Sequence, residues 1–169
     1  MKRYSKIIIF AIVFIVILLL VLFMNRSGFK SNDETTSEFY ESFISSVQTL
    51  NKALDTVSEA SGDEKSVSMF DVYTYMLFVN QRLNFLLDHA DSIEKSTTIK
   101  NDLFLLSSHY QSQVRSQISD KETFNLEAHL KLKEQLNLFM LELPDKYDES
   151  QAFIKQFNKA SAHIKPLIN

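Results

Sequence analysis

Four histidines, His89, His109, His129 and His163, are the side chains of this 169-residue chain best suited to bind a metal or carry a proton near neutral pH. The even spacing of the first three invites a shared site. Folding the chain back at turns near 96 and 120 brings His109 and His129 towards the same level, but leaves His89 about one and a half helical turns away. Zinc needs three or four ligands converging at roughly 2 Å. Neither an HExxH motif nor a pair of E-x-x-H motifs on facing helices completes such a set. The histidines therefore read as surface groups or hydrogen-bonded core groups, and no metal or cofactor is expected.

Carboxylates come next. Asp88 and Asp91 flank His89, and a turn near 96 sets Asp102 across from them. Glycan hydrolysis requires two carboxyls roughly 5–9 Å apart in a cleft, one of them desolvated. Acidic side chains near helix ends more commonly cap or complement the helix dipole. An envelope hydrolase with an acidic cleft is thus a minor alternative. No GxSxG or SxxK motif supports a serine nucleophile, and two glycines in total leave no phosphate loop. With no cysteine, thiol catalysis, disulfides and Cys-ligated metals are excluded. The chemistry points away from an enzyme.

The strongest recognition signal is aromatic. Met69, Phe70, Tyr73, Tyr75, Met76 and Phe78 fall within ten residues. Core packing accounts for much of such a run. Large, easily repacked side chains also suit a face for a protein partner or an apolar ligand. Tyr73 and Tyr75, two apart, lie on different sides of a helix, so one of them is expected to reach a surface or second layer. A ligand-binding module for a lipid or small apolar molecule would line an internal cavity with Met76, Phe78 and Phe104.

These groups must be held by helices. Two glycines and two prolines are too few for a turn-rich β fold, and no alternating run bounded by turn residues appears. Phe43, Val47, Leu50, Leu54 and Val57 step by four and three, predicting a helix over about 33–60, opened by a Ser31–Glu34 capping box. The same seam could pair with a second copy as a coiled coil. After the polar turn around Gly62, a second helix is predicted from near Ser66 or Ser68, its seam running Met69, Val72, Met76, Val79, Leu83, Leu86, Ala90 and Ile93. The seam changes register at 94–98, so a third helix is predicted over about 98–118. Ser119–Glu122 reads as a capping box for a fourth helix that Pro144 closes. A fifth carries Phe153, Phe157, Ala160 and Ile164 and is stopped by Pro166.

Residues 7–24 are eighteen consecutive apolar residues, about 27 Å as a helix, close to the ~30 Å of hydrocarbon in a bilayer. No small-x-small pair follows to direct cleavage, and no cysteine is available for lipid attachment. Lys2, Arg3 and Lys6 precede the segment, against Arg26 and Lys30 after it, which favours a cytoplasmic amino terminus. The first 30 residues hold five of the eighteen Lys and Arg and none of the 21 Asp and Glu, so the remainder carries a formal charge of −8. That charge disfavours nucleic acid and anionic lipid surfaces.

The expected architecture is all-α: a single N-terminal transmembrane helix followed by an antiparallel bundle of four or five helices. Residues 1–6 form a short cytoplasmic tail, 7–24 a signal anchor, 25–32 a juxtamembrane linker and 33–169 the extracytoplasmic bundle. The implied role is a non-enzymatic, single-pass interaction or accessory protein of the cell envelope. Its expected contacts are a protein partner in or at the membrane, the bilayer through residues 7–24, and, where the seam of the first helix forms a coiled coil, a second copy of the chain in a homo-oligomer. No nucleic acid is expected.

Overall fold

A computed structural model describes residues 32–119 and 124–168. The tail, the apolar segment at 7–24 and nearly all of the linker lie outside the described residues, as do Ser31 and Glu122 of the two expected capping boxes. Among the described residues there is no strand, and no helix is long and apolar enough to cross a membrane. Six α-helices follow one another: α1 (Asn32–Glu59), α2 (Gly62–Leu87), α3 (Asp91–Glu94), α4 (Ile99–Ser119), α5 (Leu126–Glu142) and α6 (Gln151–Ser161), with a 3-10 turn at Lys165–Leu167. The chain divides at Thr35 and Thr36, and the second unit, Thr36–Asn169, holds the bundle.

The heptad seam of α1 supplies the bundle's central row. Phe43, Val47, Leu50, Leu54 and Val57 are all at most 1% exposed, so this seam completes the core and is not open for a coiled coil with another chain. α1 and α2 run antiparallel through a two-residue connection: Phe39 lies 6.1 Å from Phe85 and 4.6 Å from His89. Gly62, at φ +55°, takes the left-handed conformation that the reversal needs. α2 and α4 are antiparallel neighbours, joined by the Asn80 amide, which donates to Leu103 O and Ser107 Oγ. α5 runs antiparallel to α1, with Phe43 and Phe139 6.3 Å apart at one end and Ser58 against His129 at the other. α6 folds back beside α5, where Lys159 pairs with Glu142. Tyr40, Phe153 and Phe157 pack where α1 meets α6, with Tyr40 5.2 Å from Phe153 in an edge-on contact.

Boundaries depart from the sequence expectations in four places. α2 begins at Gly62, so Ser66 and Ser68 lie within it and cap nothing. It also ends at Leu87 and does not run on to Ile93. There the backbone amides of His89 and Ala90 shift to carbonyls three residues back, and the His89 imidazole lies 2.9 Å from Phe85 O, the carbonyl that loses its helical partner. Ala90 and Ile93 remain buried in α3 and its approach, so the seam stays in the core although the helix breaks. Ser119 ends α4; α5 is capped instead by Asn125, whose side chain accepts from Ala128 N at 3.0 Å. Pro166 sits inside the 3-10 turn, after α6 has already ended at Ser161. The turn at 95–98 is real: Thr97 Oγ1 accepts from Ile99 N, and Thr98 donates to Asp102 at 2.7 Å.

Candidate functional site: the outward face of α2

α2 is apolar on two opposite sides. Its inward row, Met69, Val72, Met76, Val79, Leu83 and Leu86, is at most 3% exposed. At 100° per residue, the exposed Val67, Phe70, Leu77, Phe78 and Phe85 all fall within about 100° of arc on the far side. Phe70 is 53% exposed and Phe78 48%, in a helix whose polar positions are too few to cover that side. A bundle helix normally turns charged residues outward. This one turns out three phenylalanines.

The aromatic run is therefore split by the fold. Met69 and Met76 are core residues, at 2% and 3% exposure. Phe70 and Phe78 are surface residues, while Tyr73 and Tyr75 are half-buried on either side of the helix. Tyr73 lies 6.4 Å from Phe70, and Tyr75 the same distance from Phe78, so each tyrosine flanks an exposed ring. Met76, Phe78 and Phe104 do not converge on an internal cavity: Met76 is buried, whereas Phe78 and Phe104 both face outward.

One edge of the exposed stripe is bounded by a shallow groove against α1. Ser42, Ser45, Ser46 and Thr49 form its α1 wall, with Tyr75, Phe78 and Arg82 on the α2 side. The groove continues past Thr49, Lys52 and Thr56 opposite Ser68 and Asp71. Short side chains on α1 keep that wall low. The other edge is closed by α4, whose Ser107 takes the Asn80 hydrogen bond.

The polar groups considered for chemistry are dispersed. Asp91 pairs with Lys95 at 3.0 Å in an exposed i,i+4 contact, and Asp102 accepts from Thr98 inside the α4 cap. No three His, Asp or Glu side chains among the described residues gather to hold a metal. His89 packs against Phe39 with the ring planes tilted by 45°, His109 is exposed, and His163 lies 3.7 Å from Glu142. The Glu142 carboxyl is held below its ordinary value, chiefly by its hydrogen bond from Lys159.

His129 is the exception, at 3% exposure. Its Nε2 lies 3.0 Å from Leu54 O and 3.1 Å from Ser58 Oγ. Because a carbonyl can only accept, Nε2 carries the proton and Nδ1 holds a buried lone pair with no partner. Burial lowers its pKa first; Lys133 and Lys65 lower it further, against the Leu54 hydrogen bond and Asp55, which raise it. Ser58 and His129 touch, but among the described residues no carboxylate orients Nδ1, so there the pair lacks the third member of a nucleophilic triad. It ties α1 to α5. The chain has no significant match among protein-family models, curated proteins or solved structures.

Proposed function

We propose that this protein is a non-enzymatic interaction or accessory protein of the cell envelope, anchored by residues 7–24, whose extracytoplasmic bundle binds a protein partner. The observation that carries this reading is the second apolar face of α2. Burying the half-exposed rings of Phe70 and Phe78 would remove about 100 Å² each from water, and aromatic side chains dominate the energetics of protein contacts. The eighteen-residue apolar segment supports the anchoring. The −8 charge that follows residue 30 supports a protein partner over nucleic acid or an anionic lipid surface.

The mechanism is placement: an anchor confines the bundle to one surface, and confinement raises the effective concentration of any weak contact. Crosslinking and pulldown from intact membranes test it, comparing the parent chain with the Phe70→Ala, Phe78→Ala double variant. Both rings are exposed, so the variant keeps its fold by circular dichroism while the crosslinked adduct falls about tenfold. An unchanged adduct on a folded variant would overturn the contact face.

A further inference from the structure

The exposed stripe on α2 is bordered, on the α1 side, by a column of polar and aromatic residues whose order is informative: Glu64, Asp71, Tyr75, Phe78 and Arg82. All five fall within about 60° of arc at 100° per residue. The acidic residues occupy the first half of the helix and the basic one the second. Reversing the helix about a point midway between Met76 and Leu77 sets Asp71 level with Arg82 and Tyr75 level with Phe78. One centre satisfies both pairs. The same operation sets Leu77 within one residue, about 1.5 Å, of its own counterpart, and Val67 within one residue of Phe85.

We infer that the partner on this face is a second copy of the chain, docked with the two α2 helices antiparallel about a two-fold axis between Met76 and Leu77. The inference rests on the reading of α2's outer face as a contact surface and names its occupant. In an antiparallel pair with the axis perpendicular to the helices, the same edge of each copy meets the same edge of the other, as in isologous dimers. Asp71 of one copy then meets Arg82 of the other twice, once on each side of the axis. Among the described residues neither forms an ion pair within its own chain. A parallel pair would set this charged edge against the opposite edge, where Tyr73, Asn80 and Asn84 are neutral and α4 packs alongside. The charge order thus selects one orientation.

Area is consistent with this. Val67, Phe70, Leu77, Phe78 and Phe85 are 38–62% exposed, which amounts to about 400 Å² of apolar surface per copy. A stable interface buries roughly 800 Å² per partner, with an apolar centre and a polar rim. The stripe, with Gln81 among its apolar side chains, fits that centre, and Asp71 and Arg82 with the low serine wall of α1 fit the rim.

The absence of cysteine makes the test direct, because any introduced thiol is unique. The full-length chain in detergent micelles, carrying Leu77→Cys, is expected to oxidise to a disulfide-linked dimer faster than a Glu59→Cys control. Sedimentation then measures the cysteine-free charge variants. Asp71→Arg and Arg82→Asp each weaken dimerisation by about tenfold, since each replaces two attractions by two repulsions. The Asp71→Arg, Arg82→Asp double variant restores it to within about threefold of the parent. All substituted side chains are exposed, and circular dichroism verifies the fold. A chain that remains monomeric, or a double variant no better than either single one, overturns the antiparallel dimer. If the chain is monomeric yet a photo-crosslinker at Phe70 captures another protein in membranes, the dimer fails and the contact face stands; if neither occurs, both fail.

Discussion

At the residue scale, the least replaceable polar group is His129. Its neutral ring donates from Nε2 to Leu54 O, and proton uptake would create a charged Nδ1–H with no acceptor, near Lys133 and Lys65. Lys133 is held 2.5 Å from Asp55 of α1, so the Asp55 charge that favours protonation of the ring is already engaged. The lowered pKa fixes the sign of the linkage. Unfolded histidine binds its proton near pH 6.5, and the folded one only at lower pH. Between those values the unfolded state holds more protons, so stability is present above about pH 6.5 and is lost as pH falls below it. His129→Leu removes this titration together with a buried hydrogen bond worth about 1–2 kcal/mol. Urea unfolding at pH 7.5 and 5.5 should show the variant less stable than the parent at the higher pH, with a smaller drop between the two. Equal drops would show that the acid sensitivity lies elsewhere.

Tyr40 makes the corresponding link at the far end of the same helix pair. Its ring is buried against Phe153 and its hydroxyl donates to Pro144 O at 2.5 Å, across the gap that Pro144 leaves by ending α5. Burial, reinforced by the Asp145 carboxylate, raises the phenol's pKa, so it remains a donor throughout the accessible range. Tyr40→Phe keeps the packing and orphans one buried carbonyl. It should cost about 1–2 kcal/mol, read as a lower denaturation midpoint with unchanged slope.

At the scale of elements, α5 tests what local sequence can and cannot specify. Its start is set by Asn125, which satisfies one otherwise unpaired amide at the N-terminus. Asn125→Ala should cost about 1 kcal/mol in thermal or chemical unfolding, whereas Asn125→Asp should retain most of that stability because aspartate accepts the same hydrogen bond. The Ser119–Glu122 spacing looked like a stronger cap in isolation, yet Ser119 is spent in the last turn of α4. Capping motifs are short and recur by chance, so spacing alone does not choose between two of them. The inward rows of α1 and α2 were legible because periodicity integrates many residues: Phe43 to Val57 and Met69 to Ile93 are buried as their spacing requires. The break at Asp88–Ala90 left no such trace, because the apolar period continues through it and the contact that accompanies it, one histidine reaching back to Phe85 O, has no signature in the spacing. The contact face was half legible. Composition identified the aromatic run, but Met69 and Phe70, adjacent in sequence, go to opposite sides, and only the packing of α1 and α4 decides which side is core. Phe85 and Val67 belong to the stripe yet lie outside the dense run, so a local count passed over them.

At the scale of the whole molecule, charge and hydropathy are segregated along the chain, and that segregation makes the last prediction. The eighteen residues at 7–24 contain no charge, whereas everything after residue 30 is acidic by eight charges. Lipid association should therefore depend on the first segment alone. The formal charge of −8 after residue 30 repels anionic headgroups. In flotation with anionic vesicles, the full chain should rise with the lipid, while a chain lacking residues 1–30 should stay at the bottom, its helical content retained because Thr36–Asn169 forms its own unit. On the proposed anchoring, Ile15→Arg with Leu19→Asp should release the full chain without touching the bundle, because such residues cost about 2.5–3.5 kcal/mol each at the centre of a spanning helix. If residues 7–24 anchor the chain as proposed, with Lys2, Arg3 and Lys6 holding the amino terminus inside, protease added from the outer side should digest the bundle and spare the tail. A truncated chain that still floats would move lipid binding onto the bundle. The apolar surfaces left exposed among the described residues would then be the first to suspect: the stripe of α2, and Leu126, Leu130, Leu138 and Leu141 on one side of α5.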